Sequence, residues 1–207
     1  DHLSASVDGG YERGSLLKLG ALLHDVGKPE TLERGENGVL RFHDHGPVGG
    51  RIAATRLREL RFSREAVERV ARMVEGHLRP AHLARAEKLT RRASYRYFRA
   101  LGDTGVDVVL LSLADHLATW GPNLDRARWH RRLETADALL SDFFQRHEER
   151  IAPAPLLSGS DLLEDLHLSP GPALGRILEH VREAQAAGEV GTREEALGLA
   201  RRIARAS

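Results

Sequence analysis

Apolar residues recur every three or four positions along almost the whole chain. Leu16, Leu19, Leu22 and Leu23 do so ahead of Val26, and Val48, Ile52, Ala53, Leu57 and Leu60 repeat the spacing over residues 46–60. Over 64–77, Val67, Val70, Val74 and His77 fall on one face. This period matches the 3.6 residues of a helical turn and not the two of a strand. Residues 105–120, rich in Val and Leu, read as a central buried helix. Their β-branched members weaken that reading, but the stretch is longer than an ordinary strand. Residues 124–148 read as a long, charged amphipathic helix. No stretch alternates apolar and polar, so the expected fold class is all-α.

The breaks divide the chain. Gly35-Glu36-Asn37-Gly38 is a turn signal. Pro153-Ala154-Pro155 stops the long helix and sets the expected boundary: a main domain over 1–152 and a small helical appendage over 153–207. In the appendage, Ser169-Pro170-Gly171-Pro172 opens a helix carrying Leu174, Ile177, Leu178 and Val181 on one stripe. Thr192 with Glu195 three residues on is a capping box for the last helix.

Composition excludes several functions. The chain has 207 residues, enough for one domain with an appendage. Cysteine is absent, which removes disulfides, thiolate metal sites and cysteine nucleophiles and fits a reducing compartment such as the cytoplasm. With 31 Lys+Arg against 30 Asp+Glu, binding of nucleic acid falls to local patches rather than the whole surface. The longest apolar run, residues 108–114, is interrupted by Ser112 and is far short of the ~20 residues of a membrane span.

The residues with chemistry lie where apolar helices end. These are Leu23-His24-Asp25-Val26-Gly27-Lys28-Pro29, His43-Asp44-His45-Gly46-Pro47, Gly76-His77 and Asp115-His116. A His-Asp pair alone says little, because His43-Asp44 is another and Asp1-His2 and Asp115-His116 are reversed ones. His24-Asp25 differs in its setting. A polar pair ending a buried helix needs a partner, since burying it unpaired costs ~1–3 kcal/mol per group. Imidazole and carboxylate together can bind one cation. Gly27 beside them is expected to leave room for a substrate, and Lys28 to meet a phosphate as a point charge.

Residues 22–29, followed in order by His45-Gly46-Pro47, His77 and Asp115, resemble the HD-domain metal-dependent phosphohydrolases. The closer resemblance is to the HD-containing part of bacterial tRNA nucleotidyltransferases, the CCA-adding enzymes. Residues 155–162 (PLLSGSDL), 168–172 (LSPGP), 175–178 (GRIL), 188–190 (GEV) and 192–197 (TREEAL) resemble the C-terminal helices of that family. The resemblance implies an HD helical core in which His24, Asp25 and Asp115 bind a divalent metal (Mn, Fe, Co, Ni or Mg), with Asp25 able to bridge two ions. His45 and His77 match histidines that hold a second metal or contact the phosphate. It further implies that Asp25 and Lys28 act in catalysis on a phosphate ester or nucleotide.

Two departures accompany the resemblance. Gly9-Gly10 and Gly49-Gly50-Arg51 lack the following Asp-x-Asp of a nucleotidyltransferase head, so this chain by itself is expected not to add nucleotides. The superfamily's first metal histidine lies on an upstream helix. His2 is the one candidate here, and its surroundings resemble the end of that helix. The expectation is that the upstream ligand is missing from this stretch and the metal site weakened.

Two basic clusters are candidate RNA contacts. Arg91, Arg92, Arg96 and Arg99 interleave with Tyr95, Tyr97 and Phe98, which suits phosphate contact and base stacking. The alternative is that the aromatics are core and the arginines solvated. Arg128 and Arg131, with Arg126 and Arg132, surround Trp129 and would meet tRNA through its backbone. His43, His82 and His116 lie close to the candidates without an assigned role, and His130, His147, His167 and His180 read as solvent-face residues. Two functions compete: a phosphohydrolase acting on a phosphomonoester, nucleotide or 2′,3′-cyclic phosphate, and a non-catalytic tRNA-binding module keeping the HD fold as scaffold. A plain helical interaction domain is a third.

Overall fold

The computed structural model describes residues 2–7, 10–166 and 170–206. Asp1, Gly9, His167, Leu168 and Ser169, which figured in the sequence reading, lie outside the described residues. The fold is all-α, as the apolar period predicts, with ten α-helices and two short hairpins among the described residues. β1 (Ser6–Val7) pairs with β2 (Tyr11–Glu12), and β3 (Leu32–Arg34) with β4 (Leu40–Phe42), both antiparallel. At two or three residues each, these strands are too short to carry an alternation, and β3 is exposed throughout. The Gly35–Gly38 turn joins β3 to β4, with Gly38 at φ +72°, a conformation glycine adopts without cost.

The chain packs as two units. The first comprises the residues up to Glu87 together with Leu101–Asp137, the second Lys88–Ala100 and the residues from Ala138 on. Packing thus divides the chain differently from a cut at 152/153, because residues 88–100 and 138–152 belong with the tail.

In the first unit, α3 (Arg64–Gly76) is central and packs on α1 (Arg13–Leu23), α2 (His45–Glu59) and α6 (Thr104–Trp120). Ser63 caps α3 by accepting from the Ala66 amide at 3.3 Å. Val67, Val70, Met73 and Val74 are fully buried against Leu16, Leu57, Val108 and Val109. The Arg69 guanidinium is buried among them. It donates to Asp107 at 3.0 Å and to Asp103 at 2.9 Å, and Asp107 also takes His2 at 2.7 Å. α4 (Arg79–Leu83) packs on α6, and α7 (Arg126–Gln145) begins in this unit.

In the second unit, α8 (Gly159–Leu166), α9 (Pro172–Ala187) and α10 (Arg193–Ala206) enclose Leu162, Ile177, Val181, Ala196 and Ala200. The stripe read on residues 174–181 faces this core. The capping box forms as expected. The Glu195 amide donates to Thr192 Oγ1 at 3.2 Å, and the Glu195 carboxylate accepts from the Thr192 amide at 3.1 Å. α7 ends at Gln145, before the Pro153 break, and winds into a π turn over His147–Ile151. There buried Asp142 accepts from Arg150 at 2.8 Å. Tyr95, Tyr97 and Phe98 of α5 (Arg91–Leu101) are all buried, so of the two arrangements open for them, core packing is the one adopted.

Candidate metal centre

Three helix ends meet at one point of the first unit. His24 caps the C-terminus of α1, with Asp25 next to it. His77 caps the C-terminus of α3, and His45 opens α2. The last carbonyls of a helix lack intrahelical partners, and here imidazoles supply them. His24 Nδ1 lies 2.8 Å from the Ala21 carbonyl and His77 Nδ1 2.6 Å from that of Val74; His45 Nδ1 is likewise 2.8 Å from the Phe42 carbonyl. A carbonyl only accepts, so each Nδ1 carries a proton and Nε2 is the nitrogen left to face the site.

Those nitrogens converge. His45 Nε2 and His77 Nε2 are 3.2 Å apart, with Asp25 Oδ1 at 3.4 Å from the first and 3.8 Å from the second. Candidate ligand atoms of Asp25, His45 and His77 all lie within 4.8 Å of one another. On the other side, His24 Nε2 stands 3.3 Å from Asp25 Oδ2 and 3.4 Å from Asp115 Oδ1 of α6. Imidazole nitrogens and carboxylate oxygens gathered at these distances are a donor set that fits a divalent metal. Asp25 turns Oδ1 toward His45 and His77 and Oδ2 toward His24. Lys28 pairs with Asp25 Oδ2 and sits 5.7 Å from the centre of the Phe42 ring.

The protonation equilibria follow the geometry. Pairing with Asp115 raises the His24 pKa despite partial burial, and the same contact lowers that of Asp115. Burial lowers the His77 pKa and keeps its ring neutral, the form that binds metal. His2 is not part of this group: its bond to Asp107 lies two turns before Asp115 on α6.

Gly27 does not leave room for a substrate. A Cβ there would stand 2.2 Å from the His45 carbonyl oxygen and 2.6 Å from the Gly49 amide nitrogen. The space is filled by the start of α2, and it is this close approach that brings His45 up to Asp25. Asp44 makes the preceding turn at φ +58°.

The candidate RNA residues separate. Arg92 pairs with Glu183 and Glu189, Arg96 with Glu183, Arg99 with Glu179 and Arg91 with Glu149. Arg128 and Arg131 instead gather with Arg85 and Arg132 around one cavity. Arg85 went unnoticed in the sequence because no spacing links it to α7. His116 is buried and stacks on Trp129 at 5.8 Å, whereas His43, His130, His147 and His180 are exposed.

This helical core with its His-Asp pair and distal aspartate is that of an HD domain. Residues 3–120 match the HD domain family, and the chain belongs to it. Beyond that family, the chain is 40% identical over 182 residues to the CC-adding tRNA nucleotidyltransferase of Thermus thermophilus, covering 86% of this chain and 38% of that protein. It is 36% identical over 193 residues to the A-adding tRNA nucleotidyltransferase of Deinococcus radiodurans, covering 91% of this chain and 42% of the relative. The CC-adding enzyme of Synechocystis matches at 27% over 153 residues. The chain therefore spans about two fifths of the length of the first two relatives. No helix among the described residues is long and apolar enough to cross a membrane.

Proposed function

We propose that the chain is a metal-dependent phosphohydrolase of the HD type, acting on a phosphomonoester, a nucleotide or a 2′,3′-cyclic phosphate in the cytoplasm. One observation carries the reading: three imidazoles tied through Nδ1 to backbone carbonyls, with their Nε2 atoms facing two carboxylates. His24, Asp25 and Asp115 are the residues that would hold one cation, and Asp25, His45 and His77 those that would hold a second. A divalent ion bound there (Mn, Fe, Co, Ni or Mg) lowers the pKa of a coordinated water and stabilises charge on a phosphoryl oxygen. The carbonyls of Ala21, Phe42 and Val74 hold the imidazoles in register. Lys28, 40% exposed beside Asp25, supplies the positive charge for a phosphate oxygen.

The test is metal analysis with turnover. Protein incubated with each metal in turn is desalted, assayed for bound ion, and supplied with p-nitrophenyl phosphate and adenosine 2′,3′-cyclic phosphate. The expected result is stoichiometric metal and turnover, both lost in Asp25→Asn and His45→Ala. A folded protein that retains no metal and turns over neither ester overturns the proposal. A second reading is favoured by the names of the relatives: a tRNA-binding module of a larger nucleotidyltransferase, with the HD fold as scaffold. It predicts tRNA binding that weakens steeply with salt and persists in His45→Ala. Salt-insensitive or absent binding refutes it.

A further inference from the structure

A cavity of about 250 Å³ in the first unit is lined by Ala81, Ala84, Arg85, Arg128, Arg131 and Arg132. Its polar lining is arginine alone, and among the described residues none of the four forms an ion pair. The arginines of α5, by contrast, are each paired with a glutamate. Arg128, Arg131 and Arg132 stand three and four residues apart on α7, a spacing at which like charges face each other and destabilise a helix. The nearest acid at that end, Asp125, uses its carboxylate on the Ala127 and Arg128 amides, at 2.9 and 3.1 Å. Burial, then the charges of Arg128 and Arg85, lower the Arg132 pKa. Four guanidiniums sharing a small concave space are the arrangement that planar, bidentate recognition of a phosphate calls for.

The surroundings indicate what carries the phosphate. Arg128 lies over the Trp120 ring, 5.6 Å from its centre, and Trp120 is 43% exposed, so a partly exposed aromatic side chain stands beside the arginines, as in sites that take a base along with a phosphate.

We propose that the Arg85–Arg128–Arg131–Arg132 cavity binds a phosphate group of a nucleotide, free or within an RNA strand. This affinity for phosphate does not rest on the phosphoester reading given above.

The test is anisotropy of a fluorescein-labelled single-stranded RNA of about eight nucleotides, titrated with the full chain in EDTA. The expected result is salt-dependent binding that the double variant Arg128→Ala/Arg131→Ala weakens by about tenfold or more. Arg131→Lys keeps part of the affinity, because charge remains while the fork is lost. Arg64→Ala, a surface control whose guanidinium pairs with Glu68, binds as the wild type. Adenosine monophosphate competing as well as unlabelled RNA per phosphate assigns the site to a free nucleotide, and competition by RNA alone assigns it to a strand. Unchanged affinity in a double variant with wild-type circular dichroism overturns the proposal. If that variant melts early, Arg131→Gln alone carries the test. With metal chelated, His45→Ala binds RNA as the wild type does, so failure of the metal chemistry leaves this result standing, and the converse holds too.

Discussion

Gly27→Ala tests how the centre is built. The added methyl would sit 2.2 Å from the His45 carbonyl oxygen and 2.6 Å from the Gly49 amide nitrogen, both backbone atoms that no rotamer change can remove. To restore 3.4 Å of ordinary contact, the start of α2 has to retreat by about 1.2 Å. Overpacking of this kind costs about 1–3 kcal/mol, which in a chain of this size lowers Tm by about 2–12 °C. His45 travels with the helix and leaves the 4.8 Å cluster it forms with Asp25 and His77. Sites of this type tolerate about 0.5 Å, so cobalt affinity should fall by about 10–100-fold. The assay is a thermal melt by circular dichroism with calorimetric cobalt titration. Gly175→Ala is the control, because a methyl there meets nothing within 4 Å. A Gly27→Ala protein that melts like the wild type and binds cobalt unchanged would show that Gly27 does not set the separation of α1 and α2.

Two further outcomes are expected. Arg69→Ala leaves fully buried Asp107 without its guanidinium, which costs about 3–5 kcal/mol and shows as a lowered urea midpoint; an unchanged midpoint contradicts a structural role for the pair. Burial, with the Glu179 charge behind it, pushes the Tyr95 pKa from 10.0 up to about 12. The unfolded chain therefore loses the phenolic proton first. Stability from this group is complete below pH 10 and is lost as pH rises toward 12. Urea melts at pH 9, 10 and 11 follow this decline, and Tyr95→Phe should flatten it; an equal decline in the variant excludes Tyr95 as its source.

Most helices are legible along the chain because each is written in neighbouring residues. The face of Val67, Val70 and Val74, the Thr192–Glu195 box and the Gly35–Gly38 turn are local, and local spacing maps onto local geometry. The two hairpins are not legible, since strands of two or three residues leave no period. The fate of charge and aromatic patches is not legible either. Nothing in residues 91–99 says that Tyr95, Tyr97 and Phe98 turn inward, or that Arg92 and Arg96 meet Glu183 some ninety residues on.

The five candidate ligands illustrate both sides. Their types and order could be read from the chain, because imidazole and carboxylate at helix ends are a chemical signal in themselves. Their meeting could not, since it depends on how closely α1, α2, α3 and α6 approach. Gly27, read as space for a substrate, turned out to be space for a helix. Period and residue type are properties of a few consecutive positions. Distances between segments, and the company a charge keeps, are settled only when remote parts of the chain compete for the same volume.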